Sequence, residues 1–240
     1  MQLIYIQRRS LLFMTSAMNL QANTRLLFIG DSITDCGRKR PIGRGTDNFG
    51  LGQGYVSLID AALASGYPDY GIEIINMGIS GDTVNDLRYR WVSDVLDLEP
   101  DWLSVLIGIN DVWQLIDQPD YAYGSRSPDE FAEILGSLIE QALPNLQGLI
   151  LMTPYYLETN KSDPMRNLMD RYSQMVEQVA NEHKAILVDI QGAFDSILKW
   201  KEPFKLAQDR VHINLQGHML LARSFLQQIN FSWDRYPGER

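Results

Sequence analysis

Of the three histidines in this 240-residue chain, one stands shortly after an acid, in Asp209-Arg210-Val211-His212. That pair gives meaning to a serine near the other end, in Gly30-Asp31-Ser32. A serine hydroxyl is a feeble nucleophile until a base removes its proton. An imidazole can do this with one ring nitrogen while a carboxylate holds the other, fixing the tautomer and stabilising the imidazolium as it forms. The negative charge that then develops on a carbonyl oxygen needs donors. Candidates are the Ser32 N–H at a helix start, the Gly78 N–H with no side chain in its way, and the Asn110 side-chain amide. Together these residue types compose acyl transfer.

Each piece also has an ordinary use. Gly-Asp-Ser makes turns and helix caps, Gly78 suits a turn at positive φ, and Asn110-Asp111 can cap a helix. His183 closes a helical stretch, where a cation suits the dipole, and His218 opens an amphipathic one, where packing or capping suffices. What favours chemistry is where the elements must place these residues.

Five short apolar runs read as strands: Arg25–Ile29, Ile72–Met77, Trp102–Ile107, Leu149–Thr153 and Ala185–Ile190. None alternates with period two, so both faces of each are covered, as in a parallel sheet between helices. Helical spacing is expected at Tyr55–Ala64, from the Asp82-Thr83 cap to about Leu98, after the Ser127-Pro128 start, over Pro164–His183, near Ala193–Lys199 and from Gln216 to about Ile229. A polar loop is expected over Gln114–Arg126. The fold class is α/β, a three-layer α/β/α sandwich around a five-stranded parallel sheet with right-handed crossovers. In such a sheet Gly30-Asp31-Ser32, the segment after Asn76 and Gly108-Ile109-Asn110-Asp111 all emerge on one rim, the rim that carries ligands.

Composition supports one soluble domain. The chain is 45% hydrophobic and 21% charged, with no internal repeat or linker. Its net charge of −9 disfavours nucleic-acid binding. A single cysteine, Cys36, precludes an internal disulfide and fits a reducing compartment. His212 and His218 lie across a loop-to-helix boundary without a completing cluster, so no metal is expected. Arg8-Arg9 and the apolar residues after it imitate a secretion signal, but the run is short and Asn19, Leu20 and Gln21 make a poor cleavage site. Residues 1–22 are therefore expected to be a leader or a misassigned start, with Met18 a candidate start, and residues 23–240 a single domain.

The ordered blocks Gly-Asp-Ser, a glycine after the second strand, Gly-x-Asn-Asp and Asp-x-x-His resemble the SGNH, or GDSL, hydrolases from about Arg25 to Trp233. The resemblance implies a flavodoxin-like architecture, Ser32 as nucleophile, His212 as base and Asp209 as its partner. It implies an oxyanion hole of Ser32, Gly78 and Asn110, with no cofactor. Wording such as Gly30-Asp31-Ser32-Ile33-Thr34-Asp35-Cys36-Gly37-Arg38, Ile107-Gly108-Ile109-Asn110-Asp111-Val112-Trp113 and Asp163-Pro164-Met165-Arg166 is similar to bacterial acetylxylan esterases of this fold. That similarity implies deacetylation of xylo-oligosaccharides, a cytoplasmic location and a homo-oligomer. Gln208 departs from the tryptophan that precedes the triad aspartate in those relatives, which puts the pocket shape in doubt. Trp113, Tyr121, Tyr123, Tyr155 and Tyr156 follow strands three and four, where they either stack on sugar rings or pack internally. The rival enzyme reading is a thioesterase or lysophospholipase-like esterase for longer acyl chains. A flavodoxin-like phosphate or flavin module would leave Asp209 and His212 without purpose, and nothing argues for a binder that has lost catalysis.

Overall fold

In the computed structural model of the protein, residues 17–117 and 127–235 are described. The strands are β1 (Arg25–Gly30), β2 (Gly43–Arg44), β3 (Glu73–Asn76), β4 (Trp102–Leu106), β5 (Gly148–Met152) and β6 (Ile186–Val188). They form one sheet in the order β2-β3-β1-β4-β5-β6. All pairings are parallel except β2 with β3. The sheet thus has six strands rather than the five expected. The additional strand is only two residues long, too short to leave a hydrophobic pattern, and it pairs Gly43 with Asn76 and Arg44 with Ile75 at the sheet edge.

The five parallel strands are mostly apolar on both faces because helices cover both; Leu26, Leu27, Phe28 and Ile29 of β1 are fully buried. Helices α1 (Ser32–Asp35), α2 (Tyr55–Gly66), α3 (Val84–Asp94), α4 (Ile109–Asp117), α5 (Pro128–Ala142), α6 (Pro164–Glu182), α7 (Ile190–Ile197) and α8 (Leu215–Gln228) alternate with them. On one side α2 packs on α8 and α8 on α7; on the other α3 packs on α5, and α6 on α4 and α5. Phe28 meets the rings of Tyr55 and Phe225 on the first side, and Phe131 meets Tyr172 on the second. Thr83 and Ser127 start α3 and α5 with reciprocal capping boxes.

Boundaries differ from expectation at several points: the last strand stops at Val188 rather than Ile190, and the short helix after it starts at Ile190 rather than near Ala193. The helix expected to reach Leu98 breaks at Val95 and continues as a single 3₁₀ turn over Leu96–Leu98, which Glu99 ends at a φ of 46°. Gln114 belongs to α4 rather than to a loop, and Tyr121 and Tyr123 lie outside the described residues. The packed body also reaches back past residue 23: Leu20 is buried and the Asn19 N–H donates to Ile229 O at 3.0 Å. Most of the expected leader, residues 1–16, lies outside the described residues.

Candidate active site

Chain reversals on either side of β1 put its carboxyl end between β3 and β4, the switch point where open α/β sheets form a crevice. β1 ends at Gly30, whose missing side chain is obligatory: a Cβ there would stand 2.1 Å from Leu106 O. Asp31 then starts α1 by accepting the Ile33 N–H at 2.9 Å, and Cys36 ends that helix in the left-handed conformation. Ser32 is thereby held on the rim, half-buried, at the first position of a one-turn helix.

From the other end of the chain, His212 reaches the same point. Ser32 Oγ and His212 Nε2 are 3.0 Å apart, and His212 Nδ1 is 2.6 Å from Asp209 Oδ2. The second carboxylate oxygen of Asp209 accepts the N–H groups of His212 and Val211 at 2.8 and 3.0 Å. Burial pushes the Asp209 carboxyl up, but the hydrogen bonds from the His212 ring and from those two N–H groups outweigh it and hold its pKa below the usual carboxylate range. An ionised carboxylate only accepts, so Nδ1 carries the ring proton and Nε2 is left to receive one from Ser32.

The loop bearing this pair is tied down from below. The buried Tyr155 hydroxyl donates to Val211 O at 2.9 Å, Leu157 N donates to Arg210 O, and Arg210 pairs with Glu158 at 2.6 Å. Tyr155 thus packs and positions, with its ring against Phe194, rather than lining the rim. Trp113 does reach the site, its ring centroid 6.1 Å from that of His212. Gln208 is exposed and does not line the cavity beside the serine.

That cavity, about 430 Å³, is lined by Ser32, Ser80, Gly81, Asn110 and His212, with Ile33, Ile213, Cys36 and His218 forming its mostly apolar remainder. Asn110 Nδ2 donates one hydrogen to Asp82 O at 2.9 Å, which fixes the amide and leaves its second N–H to offer. The neighbouring Asp111 carboxylate is fully buried and accepts the Val84 N–H at the start of α3; burial pushes its pKa up to about 8.

Gly78 does not occupy the place expected of it. Its N–H donates to Asn76 Oδ1 at 2.9 Å, and a Cβ there would stand 2.4 Å from Asp35 N, so this glycine is needed for close packing under α1. The glycine on the cavity wall is Gly81, exposed, at a φ of +92° and with open space where a Cβ would stand. Sequence reasoning passed over it because both glycines sit in Gly78-Ile79-Ser80-Gly81. The distinguishing signal was distance from the strand, since a donor must clear the sheet edge before it can face a ligand.

His218 is also closer to the chemistry than its helix suggested. It is buried, its Nε2 lies 3.3 Å from Cys36 Sγ, and burial lowers its pKa to about 4. Burial raises the Cys36 thiol to about 12, so the pair is neutral. His183 caps the carboxyl end of α6 as expected, away from the serine. Among the described residues no group of three His, Cys, Asp or Glu side chains is arranged to hold a metal.

Residues 28–220 match the GDSL-like lipase/acylhydrolase family. The chain is a member of that family. It is 49% identical over 219 residues to an acetylxylan esterase of Geobacillus stearothermophilus, covering 91% of this chain and 99% of that one. The crystal structure of that organism's acetylxylan esterase Axe2 superposes with a TM-score of 0.88 at 49% identity, over 90% of this chain and 98% of the other. LAE5, an alpha/beta hydrolase enzyme from the metagenome of Lake Arreo, Spain, gives 0.87 at 42% identity over 90% and 99%. The family member described here is accordingly a carboxylic ester hydrolase with the α/β sheet architecture of its relatives. None of the helices among its described residues is long and apolar enough to cross a membrane.

Proposed function

We propose that this hydrolase removes acetyl groups from carbohydrate esters such as acetylated xylo-oligosaccharides, through a Ser32–His212–Asp209 triad and an acyl-enzyme. The observation that carries the reading is the relay from Ser32 Oγ to His212 Nε2 at 3.0 Å and from Nδ1 to Asp209 at 2.6 Å, opening on a cavity walled by Asn110 and Gly81. Support also comes from Axe2, for which variants with alanine at a serine, an aspartate and a histidine are described as catalytic mutants.

Ser32 Oγ attacks the ester carbonyl as His212 Nε2 takes its proton, and the carbonyl electron pair moves onto oxygen. The N–H groups of Ser32 and Gly81 and the Asn110 amide face that oxygen. Collapse expels the alcohol, which leaves with the proton from His212. Water then repeats the sequence on the acyl-serine, releasing the acid and restoring the hydroxyl. The acyl group would lie in the cavity beside the serine, against the apolar side chains of Ile33 and Ile213 and the Cys36 thiol, and its short length is taken from the likeness to acetylxylan esterases. The sugar has room alongside, in a groove of about 620 Å³ that shares Ile213 and His218 with the catalytic cavity. That groove offers the exposed Phe49 and Leu215 as apolar faces and Asp47, Gln53 and Asp60 as hydroxyl partners.

The same reading takes the enzyme as cytoplasmic and self-associating, with Trp200, Phe204 and Trp233 as exposed apolar contact surface. Sedimentation reads the association. Labelling by a serine-reactive organophosphate, mapped by peptide mass, should fall on Ser32 and vanish in Ser32→Ala. Acetate release from acetylated xylo-oligosaccharides tests the substrate, and a series of nitrophenyl esters should favour acetate over long chains. A label on another serine, or faster turnover of long acyl chains, would overturn the respective half.

A further inference from the structure

We propose that Arg90 is a positioning residue for ester hydrolysis, a single guanidinium that ties the carboxyl ends of β1 and β3 to the turn beneath the oxyanion donors. Arg90 lies on α3, two turns from its start, with its side chain only 12% exposed. Its Nη2 donates to Gly30 O at 3.1 Å, two residues before Ser32. Its Nη1 donates to Met77 O at 2.7 Å, where β3 has just ended. Its Nε donates to Asp82 Oδ2 at 2.6 Å, and it is the Asp82 carbonyl that holds Asn110 Nδ2. A fourth bond, from Nη1 to Asp94 Oδ2 at 2.9 Å, stays on α3.

The first three contacts lead to three separate parts of the site: the nucleophile's loop, the segment running to Gly81, and the turn that orients the Asn110 amide. Met77 O lies just past the end of β3, and Gly30 O, which already accepts the Ile79 N–H at 2.9 Å, has a second acceptor position that Arg90 fills. A guanidinium presents five N–H groups in one rigid plane and can fix several acceptors relative to each other, whereas an ammonium acts as a point charge on a flexible stem. The separation between Ser32 Oγ and the oxyanion donors is a relation between β1, the loop after β3 and the loop after β4. Arg90 joins the first two directly and the third through Asp82; Ser80 donating to Asp35 and Arg40 bonding both Asp35 and Gly78 O also tie the first two, but neither reaches Asp82. Misplacement of a reacting group by an ångström is enough to cost large factors in rate.

This inference rests on the assignment of Ser32, Gly81 and Asn110 above, and its test separates the two. Arg90→Lys, Arg90→Ala, Asp82→Asn and Asp94→Asn are compared by kcat and KM per organophosphate-titrated site, and by thermal unfolding. Arg90→Lys is expected to stay folded, to lose at least about tenfold in kcat and to change KM by less than about threefold. Asp82→Asn should share that pattern, while Asp94→Asn, which loses only the outward contact, keeps the parent kcat. Methylguanidinium should restore part of the kcat of Arg90→Ala. If that variant does not fold, the lysine and Asp82 variants decide alone. A kcat for Arg90→Lys within about twofold of the parent overturns the proposal, as does rescue of unfolding temperature without rescue of kcat. With Ser32→Ala inactive, those outcomes remove only the positioning role; a fully active Ser32→Ala removes the esterase assignment itself.

Discussion

Replacing Asp209 with asparagine should be more damaging than deleting its side chain, and the hydrogen bonds explain why. Oδ1 is held by two backbone N–H groups, those of Val211 and His212, at 3.0 and 2.8 Å. An asparagine there keeps its carbonyl oxygen on those donors and turns its NH2 toward His212 Nδ1. A donor facing Nδ1 forces the ring proton onto Nε2, the atom that must accept from Ser32. Turning the amide round forfeits two hydrogen bonds of about 1 kcal/mol each, and the missing charge weakens stabilisation of the imidazolium by about 2 kcal/mol more. The total of about 4 kcal/mol corresponds to a rate loss of about a thousandfold. It stays below the roughly ten-thousandfold of fully buried triads because the Asp209 side chain is 40% exposed and solvent screens part of the charge. Asp209→Ala leaves the imidazole free to choose its tautomer and should lose about a hundredfold. Steady-state kcat/KM on 4-nitrophenyl acetate measures both. An Asn variant faster than the Ala variant, or within about tenfold of the parent, would refute this account of the tautomer.

Four further outcomes are expected. Asn110→Ala should lower kcat about a hundredfold while raising KM far less, as steady-state kinetics will read, since its amide acts on charge that exists only in the transition state. Gly81→Ala meets open space but a left-handed backbone, so its cost should be about 1 kcal/mol of stability with a fall in kcat; Gly78→Ala drives a Cβ into Asp35 N and should chiefly destabilise, as denaturant titration will separate. Tyr155→Phe strands the buried Val211 carbonyl and should lower stability by about 1–3 kcal/mol in denaturant titration. The Asp111 carboxyl has a native pKa raised by burial to about 8, so it stabilises the fold fully below the ordinary carboxylate range, and that contribution is lost as pH rises through about 8. Chemical denaturation from pH 6 to 9 should show the decline, and Asp111→Asn should remove its share, leaving the part due to Asp31, whose carboxyl burial raises to about 7.

Much of the fold was legible because a doubly covered parallel strand must be apolar on both faces, and Leu26-Leu27-Phe28-Ile29 can hardly be anything else. Helix starts were legible for the same kind of reason: Thr83 and Ser127 carry an acid three residues on, and both form capping boxes. What escaped notice was structure specified by partners rather than by pattern. Strand β2 exists because Gly43 and Arg44 meet the edge of β3, and α3 ends at Asp94 although Leu96 and Leu98 continue an apolar series. Leu20 reads as the tail of a leader until the core that buries it is known.

The site divides along the same line. Ser32, His212 and Asp209 could be nominated from sequence because the roles proposed for them reside in their side chains, and scarcity left His212 with few competitors. A backbone donor has no such mark. Gly78 and Gly81 are the same residue type in the same turn, and only three-dimensional context separates them: the Gly78 N–H is taken by the buried Asn76 amide oxygen, while Gly81 lines the cavity. The same holds for Arg90, which as letters is one of two arginines on an amphipathic helix; its acceptors at Gly30 and Met77 are backbone carbonyls that no spacing rule could nominate. Sequence therefore nominates the groups proposed to react, while the groups that set the distances between them are recognised only once the strands have brought their loops together.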